Sequence, residues 1–231
     1  MRRHFFNEDY FKNIDTEDKA YWLGFIAADG CVIKCSSYNS YRLQISVSIN
    51  DIEHLEKFLE CIEANDIEIK TFKSSGFSSN NKKEDMAMVR LNSAKLCNDL
   101  RKYNIHERKS YDIEIPDLTN DMMIHYLRGF IDGDGSYHYH YDNKSNRYRY
   151  SFEIVGASSL MAYQLQGCFL SNGINVNVYT RKSKLSDKQI YRLMTASRKE
   201  MLKIINLLYS DANIYLNRKY EKINEIKNIA V

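Results

Sequence analysis

The chain has 231 residues, 44% hydrophobic and 27% charged, with 33 Lys and Arg against 30 Asp and Glu. That is long enough to bury one large core or two small ones, while no apolar run approaches the ~20 residues a membrane-spanning helix needs. The net charge of +3 excludes little by itself, five cysteines without a CxxC pair are expected to be reduced thiols in an intracellular protein, and "MRRHFFNEDYF" carries no apolar segment of a secretory signal.

In chain order, the first predicted element is a helix over "YWLGFIAADG" (Tyr21 to Gly30), ended by its Asp-Gly. A hairpin follows over 31–50, then an apolar-periodic helix over about 51–64, strands in "IEIKTFKSS" and "MAMVRLNS", and a helix in "AKLCNDLRKY". The only proline, Pro116, comes next, where a helix cannot simply run on. The pattern then restarts with "YLRGFIDGDG" (Tyr126 to Gly135). A hairpin over 136–155 is followed by a helix over 158–171, strands in "INVNVYTRKS" and "QIYRLMTAS", and a helix in "RKEMLKIINLLY". The tails "HERKS" and "LNRKY" also correspond. The expectation is an α+β fold of two related αββαββα repeats, residues 1–116 and 117–231.

Alternation within the strands separates their faces. In "YRLQISVSIN", Leu43, Ile45, Val47 and Ile49 oppose Arg42, Gln44, Ser46, Ser48 and Asn50. In "RYRYSFEI", Tyr148, Tyr150, Phe152 and Ile154 oppose Arg147, Arg149, Ser151 and Glu153. Each sheet thus has an apolar face for its helices and a polar face rich in groups that read base edges. Basic residues also gather in "TRKSKLSDKQIYR" (180–192), which holds Arg181, Lys182 and Arg192. A balanced total with segregated basic stretches suits a phosphate-facing side, though a solvated face gives the same pattern.

The repeated apolar helix has small residues four apart, Gly24 and Ala28 in one copy, Gly129 and Gly133 in the other. Small residues at that spacing let two backbones approach closely, so the two helices are expected to pack on each other about a pseudo-twofold axis. Gly30 and Gly135 are expected to end them at positive φ. Asp29 and Asp134 then meet at one end of the pair. Two carboxylates at helix C-termini repel each other and the helix dipoles, which calls for a cation such as Mg²⁺. Two acids, a divalent metal and an Arg-bearing surface suggest phosphodiester hydrolysis.

"WLGFIAADG" (Trp22–Gly30) and "LRGFIDGDG" (Leu127–Gly135) resemble the paired motifs of the LAGLIDADG homing endonucleases, and the likeness extends over nearly the whole chain. The resemblance implies a pseudosymmetric monomer with two antiparallel saddle-shaped sheets gripping a long asymmetric duplex, and a staggered double-strand cut that promotes homing of the encoding intron or intervening element. It implies Asp29 and Asp134 as the catalytic, metal-binding acids, Mg²⁺ or Mn²⁺ as the metal, and the backbone carbonyls of Ala28 and Gly133 facing it. The first motif departs from the pattern at Ala27, where the second keeps Asp132. Candidates for the peripheral polar catalytic groups are Lys109, Lys219 and Gln44. Candidate DNA contacts are Arg42, Gln44, Ser46 and Ser48 in the first repeat. In the second they are His138, His140, Arg147, Arg149, Asn177, Tyr179, Arg181, Lys182 and Arg192. The alternatives on this scaffold are an RNA-splicing maturase bound to its own intron and a DNA-binding protein that does not cut. An organelle matrix, or bacterial or phage-infected cytoplasm, is the expected setting.

Overall fold

Thr16 opens the first helix. Its backbone is extended and its hydroxyl accepts the Lys19 N–H, with Glu17 and Asp18 in the first turn, so the N-terminal amides meet both a cap and negative charge. The helix, α1 (Glu17–Asp29), is buried at every residue from Ala20 to Ala27. A helix with no polar face belongs inside a core. Its partner is α4 (Asn120–Asp134), buried from Tyr126 to Asp132. The computed structural model describes residues 5–36, 40–74, 83–183 and 188–229, and none of its helices is long and apolar enough to cross a membrane among these residues.

Each motif helix leads into its own sheet. The first holds β1 (Gly30–Lys34), β2 (Tyr41–Ser48), β3 (Lys70–Ser74) and β4 (Glu84–Asn92) in the order β1-β2-β4-β3, all neighbours antiparallel. The second holds β5 (Gly135–Asp142), β6 (Arg147–Gly156), β7 (Asn177–Lys182) and β8 (Gln189–Thr195) in the order β5-β6-β8-β7, again antiparallel. Helices α2 (Ile52–Cys61) and α3 (Ala94–Lys102) accompany the first sheet, and α5 (Ser159–Ser171), α6 (Arg198–Tyr209) and α7 (Asn217–Ile229) the second. Ser93, Ser158 and Ser197 cap α3, α5 and α6 through their hydroxyls. The apolar strand faces read from the sequence are the ones that enter the core: Leu43, Ile45 and Val47 are buried in one sheet, Phe152 and Ile154 in the other. This is the expected α+β architecture of two αββαββα repeats, with one addition. The tail after α6 continues into α7, whereas the matching tail of the first repeat makes only a short 3₁₀ turn at Lys109–Tyr111.

The small residues allow the two motif helices to touch backbone to backbone. A Cβ on Gly24 would stand 2.0 Å from the Tyr126 carbonyl oxygen, and one on Gly129 would stand 1.9 Å from that of Tyr21. One helical step closer to the acids, a Cβ on Gly133 would lie 2.3 Å from the Ala28 Cβ. The expectation for Gly30 and Gly135 needs correction. Both are extended, with φ of −82° and −80°, a conformation open to any residue. What requires glycine is space, since a Cβ would stand 2.7 Å from the carbonyl oxygen of Ile26 or Ile131 in the preceding turn.

Candidate active site and nucleic-acid face

Because α1 and α4 run side by side and end together, their last residues, Asp29 and Asp134, come to one place. A Cβ on Gly133 would be 3.4 Å from Asp29 Oδ2, which puts the first carboxylate against the end of the second helix. Surrounding protein pushes the Asp29 carboxyl up to about 6, and the charge of Asp134 adds to the effect, although both aspartates keep a solvent-exposed surface. Burial likewise raises Asp134, while Lys109 and Lys219 pull it back. The two lysines are arranged alike. Lys109 Nζ donates to Gly30 O at 2.6 Å and Ala28 O at 3.5 Å. Lys219 Nζ donates to Gly135 O at 2.6 Å, Gly133 O at 3.1 Å and Ile131 O at 2.8 Å. Each repeat thus folds its own tail lysine back onto the carbonyls flanking its own acid. Burial lowers both ammonium groups, Lys219 to about 8, with nearby aspartates partly offsetting the effect.

This donor set is hard oxygen throughout, two carboxylates with backbone carbonyls beside them, and it suits a hydrated Mg²⁺ better than a softer metal. Among the described residues no cluster of three or more His, Cys, Asp or Glu side chains could hold a metal, so water and carbonyl oxygen would have to complete the shell. The Ala28 and Gly133 carbonyls are each already met by a lysine, leaving a second lone pair free.

The acids make a stability signature. Asp29 holds its proton more tightly in the folded chain than in the unfolded one, so in metal-free buffer stability is expected to fall as pH rises from about 4 to 6, by an amount that solvent screening of this exposed residue keeps below the full shift. Urea denaturation in EDTA across that range measures it, and Asp29→Asn should flatten the slope.

Asp132 does something else. It is fully buried and accepts from Tyr21 OH at 2.7 Å, Tyr209 OH at 2.7 Å and Leu216 N at 2.8 Å. Tyr21 OH also meets His54 Nε2 at 3.0 Å. The carboxylate therefore ties α1, α6 and the tail that carries Lys219. The equivalent pair across the pseudo-dyad is Ala27 and Tyr126, and the buried Tyr126 hydroxyl has no hydrogen-bond partner among the described residues. Asp132→Ala would leave donors unpaired in the core, and a loss of about 3–5 kcal/mol is expected in a denaturant titration.

The register assigns the remaining candidates to faces. Arg42, Gln44, Ser46 and Ser48 are half-buried on the side of the first sheet away from its core. Gln44 Oε1 accepts from Arg90 Nε at 2.9 Å, and Arg42 Nε donates to Asn92 at 2.8 Å. Arg42, Arg90, Asn92 and Lys70 border a groove of about 320 Å³. Arg90 and Lys70 were missed from the sequence, although the alternation of buried Ala87, Val89 and Leu91 in β4 turns Arg90 outward. On the second sheet, cross-strand pairs put His138, His140, Arg147, Arg149, Asn177, Tyr179, Arg181 and Arg192 on one outward face. Some are already paired: Arg192 with Glu153, and Arg149 with Asp142 at 3.2 Å. Lys182 does not join them. It pairs with Gln189 and points to the opposite side from Arg181, because adjacent strand residues alternate. The rest of the basic segment, 184–187, lies outside the described residues.

The features together define a single-chain, two-repeat α+β protein with an acid from each repeat at the shared helix end. Residues 121–208 match the family described as LAGLIDADG-like domain. The second repeat is thus similar to LAGLIDADG-like domains, and the whole chain has the two-repeat LAGLIDADG fold. Among solved structures it is similar to the LAGLIDADG homing endonuclease I-GzeII in complex with its DNA target (TM-score 0.60, 13% identity, 90% of this chain and 88% of that one). It is similar also to the homing endonuclease I-WcaI bound to its DNA recognition sequence (0.61, 16%, 93% and 90%) and to I-DmoI in complex with DNA and Ca (0.56, 15%, 95% and 99%). No functionally curated protein matches the sequence.

Proposed function

We propose that this protein is a site-specific, divalent-metal-dependent DNA endonuclease that makes a staggered double-strand break in a long asymmetric target and so promotes homing of its own genetic element. The observation that carries the reading is the meeting of Asp29 and Asp134, one from each repeat, at the common end of α1 and α4 beside two buried lysines. The pseudosymmetry offers one acid and one lysine to each strand of a duplex, from a single copy of the chain built of repeats 1–116 and 117–231.

A bound Mg²⁺ or Mn²⁺ would supply the Lewis acid that activates water and stabilises the leaving oxygen of a phosphodiester. Asp29 and Asp134 would hold it, with the carbonyls of Ala28 and Gly133. Lys109 and Lys219 bring positive charge to the same end of the helix pair. Lys219, held near 8, can give or take a proton close to neutral pH. Gln44 is engaged by Arg90 on the sheet face and serves the reading better as a base contact than as a catalytic group. The polar faces of the two sheets, from Arg42 to Ser48 with Arg90 and from His138 to Arg192, would lie along the major groove, where Arg reads guanine and Gln adenine. The abundance of Asn, Ile, Lys and Tyr in the chain accords with an AT-rich organelle, bacterial or phage genome.

The test uses linear DNA of the host locus without the intervening element, incubated with protein and Mg²⁺, with the ends mapped. A single staggered double-strand cut that EDTA abolishes is the expected result. Tight duplex binding with no cut under any divalent metal would overturn the nuclease and leave a binding protein or maturase on the same scaffold.

A further inference from the structure

The second hairpin is longer than the first and differs on its other face. β1 ends at Lys34 and β2 begins at Tyr41, whereas β5 runs to Asp142 and β6 begins at Arg147. Beyond the buried pair Tyr137 and Phe152, the core-side parity continues outward as Tyr139 opposite Tyr150 and Tyr141 opposite Tyr148. The inner two rings still lie against α7 and α6, and the outer two are past the cover of the helices. Tyr141 is 47% exposed and Tyr148 41%, while Tyr139 and Tyr150 are half-buried. They form a ladder, with Tyr148 centred 5.1 Å from Tyr141, 6.2 Å from Tyr139 and 6.4 Å from Tyr150.

Cross-strand tyrosines can serve simply to stabilise a hairpin. This hairpin is already closed at its tip, where Asp142 accepts from Lys144 N at 3.0 Å, Ser145 Oγ at 2.7 Å and Arg149 Nε at 3.2 Å. The ladder is also flanked by cations. Lys222 Nζ lies 4.1 Å from the Tyr139 ring centre, and the Arg198 guanidinium lies 5.9 Å from that of Tyr150. Glu225, the acid beside them, is held by Lys222 at 2.9 Å and by the Tyr139 hydroxyl at 3.1 Å. Beside the ladder, along β6, is an open groove of about 330 Å³ bordered by Arg147, Tyr148, Arg149, Tyr150, Arg198 and Ile229. Aromatic faces for bases, with Arg and Lys alongside for phosphates, are what an unpaired strand needs, and a paired duplex offers no free base face to stack.

We propose that the tyrosine face of the β5–β6 hairpin is a stacking platform for single-stranded nucleic acid, on the side opposite to the His138, His140 and Arg149 face assigned to the duplex. The inference goes beyond cleavage and does not depend on it. One hairpin would then present a duplex-reading face and a single-strand face at once.

Fluorescence anisotropy of labelled oligo(dT) and oligo(rU) with the full-length protein in EDTA tests this, with a labelled duplex alongside. Wild-type protein should bind at least one oligonucleotide. Tyr141→Leu/Tyr148→Leu, which keeps apolar cover but removes the π-faces, should weaken that binding about tenfold or more and leave the duplex unchanged. Arg198→Gln/Lys222→Gln should weaken it too and reduce its salt dependence, which keeps the test alive if the tyrosine variant fails to fold. Preference for oligo(rU) would point to RNA as the source of the strand, and equal or opposite preference to displaced DNA; either supports the platform. Absence of binding by wild-type protein would overturn it. So would oligonucleotide binding unchanged in both variants, or lost only in His138→Ala/His140→Ala, which would put the strand on the duplex face.

Discussion

Asp134→Asn is expected to abolish double-strand cleavage while leaving duplex binding intact, and Asp29→Asn to do the same. The substitution keeps side-chain volume and removes one of the two negative charges that make the shared helix end fit for a divalent cation. Loss of that cation removes several kcal/mol of transition-state stabilisation, about 10³-fold or more in rate. Binding should survive because the candidate contacts lie on the outward sheet faces, whereas the acids end the two motif helices. The folded state should gain stability, since each acid is held with its carboxyl pushed up by burial and relieving that charge costs nothing in packing. Gel-shift titration and end-mapped cleavage on the same preparation check both halves. If either variant still cut both strands, the pairing of one acid with each strand would be wrong.

Gly129→Val is expected to prevent the two halves from assembling, with a cost of about 4 kcal/mol or more. Even the first carbon of the new side chain would stand 1.9 Å from the Tyr21 carbonyl oxygen and 2.9 Å from the Phe25 nitrogen. These are backbone atoms inside a buried helix, so no side-chain rotation relieves the contact and α1 must move away from α4. Gly24→Val meets the same obstacle from the other side, against Tyr126 O and Phe130 N. Because Asp29 and Asp134 are placed by this contact, activity should be lost with stability. Gly167→Ala is the control. It lies within α5, where an added Cβ meets nothing within 4 Å. There alanine should be neutral or stabilising by up to about 1 kcal/mol, through helix propensity. Thermal unfolding followed by circular dichroism, with gel filtration for the compact folded chain, separates the cases.

The repeat, the order of its elements and the two acids were legible in the sequence because each rests on a local pattern. Strand alternation in "YRLQISVSIN" foretold which of Arg42 to Ser48 would be buried, while Ile49 falls in a 3₁₀ turn after the strand and is half-buried. The doubled Gly-and-Asp motif foretold the helix contact and the meeting of Asp29 with Asp134. Long-range contacts were not legible. That Gly30 and Gly135 serve close packing and not a left-handed turn depends on where the preceding isoleucine points. That Lys182 turns away from Arg181 depends on its pairing with Gln189. That Asp132 is a buried acceptor for Tyr21, Tyr209 and Leu216, and that Lys109 and Lys219 reach the carbonyls beside the acids, depends on tails folding back over some eighty residues of chain. Periodicity along a chain reports which face of an element is buried. Which side chains then meet across the core is set by packing between elements distant in sequence, and only the tertiary structure decides it.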